Sequence, residues 1–468
     1  MSENTNPYSM RIMLPEDIKK GKQNPSSNTN LDSYNTYSNT ERKAERVLTT
    51  ADTALNLYRE YRGNDFPDLG EYMPQPSLKE RDRRWQLIRE QMLLWNLDCL
   101  LVWGSDSQFT LCEAGFRYVT SIPNSNGRSL CIFPRKGDPI AFVGESHCHY
   151  VSYIYKWVGT VRPFASAGDV LGILKEMGFA SGRIGFVGDI PHYWPFVLQY
   201  NIWSDILKGM PQADFVNFAP ALWNITMIKS EEELAFLRTA GKIAPKVYEA
   251  LLSALKPGAL ECEVYAEMQR AMTANGGEST SMILMDIGNP VFPHAKFPPV
   301  NMRPIKQGDM AITEYHVKYA GFQTHTERTV SLGKPSSETM DLYSIGLECY
   351  RSAMKVLKPG CLFKDAMIAL RKPVRDNGMA FAECGFHSHG STSGGFPTFG
   401  VASIDEHIDD YSNLEPVMIR ENMVFTHMID LYNPKIKNAH GMMLADSFVV
   451  TKDGPEVFAS IPLELAVV

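Results

Sequence analysis

The sequence predicts an α/β domain followed by an α+β domain, behind a polar N-terminal extension. Three observations support this prediction. Helical and strand patterns alternate over residues 78–225, which is typical of an α/β domain. From residue 226, two long helical patterns precede a series of strands, which is typical of an α+β domain. Residues 1–77 are rich in polar side chains and offer little apolar surface to bury, which predicts a flexible extension.

Composition limits the classes of protein that the chain can belong to. The 468 residues are enough for two or three domains, and their formal net charge is −7 without a long acidic or basic block. This pattern argues against a dedicated nucleic-acid binder. No apolar run reaches about 18 residues, and the N-terminus lacks a secretory signal, so we expect no membrane partner. The eight cysteines are scattered, which fits free thiols in the cytoplasm.

The first domain is predicted from one helix and several buried strands. Residues 79–97 have apolar side chains at helical spacing, including Trp85, Ile88 and Met92. The strand patterns that follow are short apolar runs of the kind buried in a sheet. They are DCLLVWG at 98–104, the hairpin LCIFPRKGDPIAFVG at 130–144, and RIGFVGD at 183–189.

The second domain opens with a helix whose N-terminus is marked by a capping box. Ser230 is followed three residues later by Glu233, and Pro257-Gly258 ends the helical pattern. The tetrapeptide LKPG occurs at 255–258 and again at 357–360, each time after a helix, which indicates an internal duplication. Strands are predicted at 281–288, 309–333, 422–432 and 442–454.

Several of these segments carry a resemblance to a known family. Residues 78–460 resemble the creatinase, prolidase and aminopeptidase P group, which has the pita-bread fold. The matching motifs are IKSEEELAFLRTAGKIA, GDMAITEYHVKYAGFQTHTERTVSLG, ENMVFTHMIDLY and LADSFVVTKDG. The resemblance implies a creatinase-like N-terminal α/β domain at 78–225 and a C-terminal pita-bread domain at 226–468. It also implies a homodimer in which the N-terminal domain of one subunit helps to close the site of the other.

The ligand positions of this family are changed in the sequence. Its metallopeptidases hold two divalent ions with two Asp, one His and two Glu side chains. The matching positions here carry Glu314, His325, His387, Met428 and Ala445, with His389 as the alternative to His387. A thioether and a methyl group hardly coordinate a hard cation. The resemblance therefore implies that the family's two-metal site is absent, and we predict that the protein uses no metal and no cofactor.

The metal-free creatinase branch suggests a function for such a site. Its hairpin ends in Glu-Arg-Thr, as does Glu327-Arg328-Thr329 here, and a histidine on the preceding loop matches His294. By this resemblance we predict a metal-independent hydrolase that cleaves a C–N bond of a small cationic or zwitterionic metabolite. His294 would move the proton, and Glu314 and Glu327 would hold the positive group of the substrate.

The remaining candidates follow from strand periodicity and loop composition. His325 and Glu327 share one face of their strand, as do Met428 and Asp430 on theirs. The segment FHSHGSTSGG at 386–395 offers backbone N–H groups and hydroxyls that could bind an anion. The predicted catalytic residues are His294, Glu327 and His387. The predicted substrate-binding residues are Glu314, His325, Arg328, His389, Met428 and Asp430.

Three alternatives stay open at this point. Glu314, His325 and His387 could hold a single metal ion, because three ligands with open positions are typical of a catalytic centre. Such a protein would be a metal-dependent peptidase or lyase with remodelled ligands. Glu314 and His325 could instead form a structural salt bridge. The fold could also serve as a catalytically inactive binding protein.

Overall fold

A computed structural model describes most of the chain beyond residue 68. The described residues are 49–50, 69–104, 114–123, 129–144, 148–164, 166–188, 198–278, 282–295, 301–390, 393–399 and 417–468. Most of the predicted flexible extension at 1–77 therefore lies outside the described residues. Within the described ranges, every helix is too short or too polar to span a lipid bilayer.

The first sheet has seven strands, packed with helices and one short 3₁₀ segment (Leu69–Tyr72). Its strands are β1 (Thr49–Thr50), β2 (Cys99–Gly104), β3 (Ser129–Pro134), β4 (Ile140–Val143), β5 (Thr160–Pro163), β6 (Arg183–Val187) and β7 (Asp214–Asn217). Its helices are α1 (Leu78–Leu94), α2 (Ala114–Thr120), α3 (Cys148–Ile154), α4 (Ala167–Glu176), α5 (Tyr200–Gly209) and α6 (Ala219–Met227). The strand order is β1-β5-β4-β3-β2-β6-β7, and every residue of β2 is buried. The apolar runs that predicted β2, β3, β4 and β6 are thus confirmed as strands.

The second sheet has nine strands and carries the candidate site. Its strands are β8 (Ile283–Gly288), β9 (Met310–Tyr319), β10 (Phe322–Ser331), β11 (Ala380–His389), β12 (Ser393–Phe399), β13 (Val424–Tyr432), β14 (Met442–Thr451), β15 (Gly454–Val457) and β16 (Ala466–Val467). Its helices are α7 (Glu231–Ala254), α8 (Glu261–Ala274), α9 (Ser337–Val356) and α10 (Phe363–Asp376). The main strand order is β12-β11-β13-β14-β10-β9-β8, and it places the β9–β10 hairpin beside β14.

The N-terminus of α7 joins the two sheets through buried charges. Ser230 Oγ accepts a hydrogen bond from the Glu233 backbone N–H (3.1 Å), and the Glu233 carboxylate accepts one from the Ser230 N–H (2.8 Å). The predicted capping box is thus confirmed. Arg84 of α1 lies 3.1 Å from the other carboxylate oxygen of Glu233 and 2.7 Å from Glu80, and all three side chains are buried. One carboxylate therefore caps a helix and holds the neighbouring segment.

The two LKPG segments occupy equivalent places in the fold. The backbone N–H of Gly258 donates to Ile305 O (2.8 Å), and that of Gly360 donates to Ile419 O (2.9 Å). Both glycines have φ near +90°, a conformation that glycine adopts readily. Each segment connects two helices that pack against each other, α7 with α8 and α9 with α10, before the strands of its half. This repeated geometry supports the duplication predicted from the sequence.

Substitution of glycine by alanine should have opposite effects on stability at two helical positions. A Cβ atom at Gly241 of α7 would lie 2.6 Å from the carbonyl carbon of Phe458, whereas a Cβ at Gly172 of α4 would meet nothing within 4 Å. Gly241→Ala should cost about 1–3 kcal/mol of unfolding free energy through overpacking. Gly172→Ala should stabilise by about 0.5–1 kcal/mol through helix propensity. Urea unfolding of both variants measures the contrast, and equal effects would contradict the packing described for α7.

Candidate active site

Neighbouring strands of the second sheet direct polar side chains to one face. Glu314 lies opposite Glu327, and His316 lies opposite His325, in the register of β9 and β10. On the other half of the sheet, Glu383 lies opposite Asp430, and His387 lies opposite Thr426. Because alternate residues of a strand share a face, these pairs form one continuous polar surface.

His325 is at the centre of this surface. Its Nε2 lies 3.0 Å from Glu327 Oε1 and 3.6 Å from Glu314 Oε1, and its Nδ1 lies 3.3 Å from His387 Nε2. Only 1% of the His325 side chain is exposed. Burial lowers its pKa well below the ordinary value, with further lowering by the neighbouring histidines. The imidazole is therefore neutral at pH 7.

His387 fixes the tautomer of His325. His387 Nδ1 is 3.2 Å from the carbonyl of Ser388 and donates to it, which leaves His387 Nε2 as an acceptor. His325 Nδ1 then donates to His387 Nε2, so Nε2 of His325 accepts the 3.0 Å hydrogen bond from the carboxyl group of Glu327, whose pKa is raised by burial. Burial lowers the pKa of His387 to about 4, so both rings stay neutral. This arrangement presents a basic nitrogen to the carboxylates, as in metal-ligating histidines.

Two further histidines complete a group of imidazoles. His316 stacks on His325 with ring centroids 4.2 Å apart, and its Nε2 lies 2.9 Å from Glu314 Oε1. His389 Nδ1 lies 2.9 Å from the Gln323 carbonyl and donates to it, whereas its buried Nε2 has no hydrogen-bond partner among the described residues. Burial lowers the pKa of His389 well below its usual range. A free lone pair on Nε2 therefore faces a buried space.

Two carboxyl groups of the site, Glu327 and Asp430, are buried without a lysine or arginine of the described residues bonded to them. Glu327 and Asp430 are completely buried and share a side-chain hydrogen bond with each other. Within the described part of the chain, no N–H group or hydroxyl donates to Glu327 Oε2 or to either Asp430 oxygen. Burial raises both pKa values well above the usual range; Glu314 raises that of Glu327 further, and Glu327 raises that of Asp430 further. A bound cation would oppose both shifts, because a nearby positive charge favours the ionised carboxylate.

Two sets of three side chains have the spacing of a metal site. Glu314, His325 and Glu327 form one set, and His316, His325 and His389 form the other. In each set, one potential ligand atom per residue lies within 4.8 Å of the other two. Both sets include His325, so oxygen donors and nitrogen donors lie around the same ring.

The structure brings most of the predicted site residues together. His325, Glu327, Glu314, His387 and His389 make the contacts given above, and Met428 and Asp430 share the same strand face. His294 lies at the open edge with 45% of its side chain exposed, and its Nδ1 is 3.9 Å from Glu383 Oε1. Met428 packs against Ala445 in an apolar pair.

Arg328 is a correction to the predicted substrate-binding set. It lies on the opposite face of β10, is completely buried, and donates to both carboxylate oxygens of Asp446 at 3.0 Å. It also donates to the backbone carbonyls of Ala445 and Ile461. These contacts place the guanidinium away from the site and give it a structural role.

Sequence reasoning missed two residues of the site, His316 and Glu383. His316 is two residues after Glu314 on the same strand, so the period-two rule that linked His325 with Glu327 would have found it. Glu383 is on the site face because β11 pairs with β13 through an irregular register between Phe381 and Glu383. That irregularity leaves no signal in the sequence.

The chain is similar in sequence to known peptidases. Residues 235–452 match the model of metallopeptidase family M24. The uncharacterized peptidase YqhT of Bacillus subtilis is 24% identical over 370 residues, which are 78% of this chain and 96% of that protein. The Xaa-Pro dipeptidase of Pyrococcus horikoshii is 25% identical over 270 residues, 57% of this chain and 72% of that protein.

Solved structures show the same architecture. The Xaa-Pro dipeptidase from Bacillus anthracis superposes with a TM-score of 0.66 at 21% identity, covering 83% of this chain and all of that one. The X-Pro aminopeptidase from Thermotoga maritima gives 0.67 at 18% identity, covering 83% and 99%. The predicted fold, an N-terminal creatinase-like α/β domain followed by a C-terminal pita-bread domain, is confirmed.

The predicted metal-independent, creatinase-like hydrolase is wrong. The matching family model is one of metallopeptidases, and matching relatives and structures are named Xaa-Pro dipeptidases. The prediction relied on the loss of carboxylates at Met428 and Ala445. It missed His316 and assigned Asp430 to the substrate rather than to a metal ion, because both residues lie outside the family's ligand pattern.

The residues present fit a single metal ion better than the family's pair. Met428 and Ala445, at two of the matched ligand positions, pack against each other and provide no oxygen donor. Glu327 Oε2 and His389 Nε2 are both buried near His325, and among the described residues neither receives a hydrogen bond from an N–H group or a hydroxyl, so a cation could satisfy them. A mixed set of imidazoles and carboxylates suits a divalent transition metal.

A buried histidine outside the site gives a test of this electrostatic picture. His427 lies on the other face of β13 and packs on Tyr350, with ring centroids 4.3 Å apart. Burial lowers its pKa to about 4. Between about pH 6.5 and pH 4, His427 is therefore protonated in the unfolded chain but neutral in the folded chain. Its contribution to the free energy of unfolding therefore decreases as the pH falls through this range.

The variant His427→Gln isolates that effect from the opposing titration of buried carboxyl groups. The variant should be less stable than wild type at pH 7. Because only wild type loses stability through His427 on acidification, the difference in unfolding free energy should decrease by roughly 1.4 kcal/mol per pH unit below about 6.5. Urea unfolding of both proteins in chelator at pH 7 and pH 5 measures the difference. A deficit that is constant with pH would show that His427 is not held neutral.

Proposed function

We propose that this chain, whose residues 235–452 match the model of metallopeptidase family M24, is a metal-dependent hydrolase of peptide C–N bonds with a remodelled ligand set. The observation that carries the proposal is the convergence of Glu314, His325 and Glu327. Glu314 and Glu327 each place a carboxylate oxygen within 3.6 Å of His325 Nε2, and no N–H group or hydroxyl of the described residues donates to the second oxygen of Glu327. His387 orients the central ring from behind.

In such a site, different residues would bind the ion, orient its ligands and exclude water. When bound, a divalent ion would lower the pKa of a water molecule and polarise the scissile carbonyl. Glu314 and Glu327 would hold the ion by charge, and His325 by its fixed lone pair. His387 keeps His325 in the correct tautomer. Except for Glu314, these side chains are less than 5% exposed. Their burial excludes bulk water and strengthens their electrostatic interactions.

His294 is the candidate for proton transfer at the open side of the site. Its ring is partly exposed, and Glu383 lies 3.9 Å from its Nδ1, within range to orient it. An imidazole at this edge can donate a proton to the departing amine of a substrate and recover it from water.

The proposed substrates are small peptides. Relatives that cover more than half of this chain are named Xaa-Pro dipeptidases, so Xaa-Pro dipeptides are the first compounds to test. The homodimer implied by the family resemblance stays a prediction, which light scattering of the purified chain can test.

Removal of Glu327 charge should abolish both metal binding and hydrolysis. Glu327→Gln keeps the size of the side chain but removes its anionic oxygen, so kcat/KM should fall by at least about 100-fold. The matched control is Glu456→Gln, which changes an exposed carboxylate paired with Arg238 (2.9 Å) and should leave activity unchanged. Metal content by mass spectrometry and hydrolysis of Xaa-Pro dipeptides, before and after chelation, provide the readout.

The expected result is about one metal ion per wild-type chain, with hydrolysis lost in chelator and restored by added metal. Hydrolysis that persists in metal-free protein would overturn the proposal. So would a full complement of metal in Glu327→Gln with undiminished activity.

His294→Gln tests the separate role given to proton transfer. The substitution removes the titrating group but no proposed metal ligand, so metal content should stay at the wild-type level. The value of kcat/KM should fall by roughly 100-fold or more, and its pH profile should lose one ionisation. An activity within about threefold of wild type and an unchanged pH profile would remove His294 from the mechanism.

A further inference from the structure

The three histidines His316, His325 and His389 point to the identity of the ion. We infer that they act together as nitrogen ligands and make the centre selective for a nitrogen-preferring transition ion such as Zn²⁺ over a hard ion such as Mn²⁺. This inference rests on the metal site of the proposed function. It adds two residues, His316 and His389, to which that function gives no role.

The three imidazole rings lie close to one another, and this grouping does not depend on the carboxylates. One nitrogen from each residue lies within 4.8 Å of the other two, and all three side chains are at most 3% exposed. The ring centroids of His316 and His325 are 4.2 Å apart, those of His316 and His389 5.4 Å, and those of His325 and His389 5.9 Å. Three buried imidazole rings therefore lie next to one another.

The hydrogen bonds of His389 provide an independent observation. Its Nδ1–H donates to the Gln323 carbonyl at 2.9 Å, which fixes the ring and makes Nε2 the lone-pair nitrogen. That nitrogen is buried and accepts no hydrogen bond from a described donor. An unpaired acceptor in a buried position costs free energy unless a ligand satisfies it. Metal-ligating histidines commonly donate their other N–H to a carbonyl, as His389 does.

Donor chemistry then decides between ions. Imidazole suits Zn²⁺, Cu²⁺, Fe²⁺ and Ni²⁺, whereas Mg²⁺ and Mn²⁺ prefer carboxylate, carbonyl and water oxygens. With three imidazoles and two carboxylates at hand, the centre offers more nitrogen than a set built from carboxylates and a single histidine. Affinity for Zn²⁺ should therefore exceed affinity for Mn²⁺ by at least about 100-fold.

The first test is spectroscopic and needs no substitution. Full-length protein is stripped with chelator and loaded with one equivalent of Cu²⁺, and electron paramagnetic resonance counts the nitrogen nuclei coupled to the ion. We expect three coupled nitrogens. One coupled nitrogen or none would overturn the inference, because His325 alone would then supply the imidazole.

The second test compares two buried histidines by calorimetric titration with Zn²⁺ and Mn²⁺. His389→Gln should weaken Zn²⁺ binding by at least about tenfold, because mutation of even an outer-shell partner of a metal ligand typically lowers metal affinity by that factor. It should change Mn²⁺ affinity far less. His427→Gln, which alters a buried histidine on the opposite face of the same sheet, is the matched control and should change neither. Circular dichroism and thermal unfolding establish that both variants fold.

The outcomes separate this inference from the proposed function. Equal affinity for Zn²⁺ and Mn²⁺ in wild type, or equal loss of both in His389→Gln, would overturn the three-histidine assignment while metal-dependent hydrolysis still stood. Three coupled nitrogens in a protein that cleaves no peptide would support the assignment and contradict the hydrolase.

Discussion

The alternation of side chains along paired β-strands is the constraint on which the rest of the site depends. Because β9 and β10 pair with Glu314 opposite Glu327 and His316 opposite His325, four polar groups are held on one face of a single hairpin. A slip of one residue would move Arg328 into their place. Arg328 resists such a slip, because its guanidinium is fixed to Asp446 on the opposite face of the sheet. The hairpin therefore positions the site and secures its own register.

Charge follows from that geometry. The same burial that keeps the imidazoles neutral also raises the pKa of Glu327 and Asp430, so the site has lone pairs and carboxyl groups but no lysine or arginine among the described residues that bonds to those two. The positive charge of Arg328 is compensated on the other face by Asp446. A divalent cation at His325 would satisfy both kinds of group, which links the fold to metal-dependent chemistry.

Much of the fold could be predicted from the sequence, because its signals are local. The capping box at Ser230, the repeated LKPG segments and the apolar runs of the first sheet each predicted an element that the structure contains. The site was harder to predict, since its composition depends on contacts between distant strands. Glu383 and Asp430 meet only through an irregular pairing, and the packing of Met428 on Ala445 leaves nearby donors available. Loss of the family's ligands in the sequence therefore suggested a metal-free enzyme, although the fold brings other donors to the same face.

The central claim is that His325 and its neighbours share one metal ion. A crystal structure of protein loaded with Zn²⁺, with anomalous diffraction recorded on both sides of the zinc absorption edge, tests it most directly. The account predicts one anomalous peak within about 2.2 Å of His325 Nε2 and of a carboxylate oxygen of Glu314 or Glu327. Two peaks bridged by carboxylates, or no peak on this face of the sheet, would contradict it.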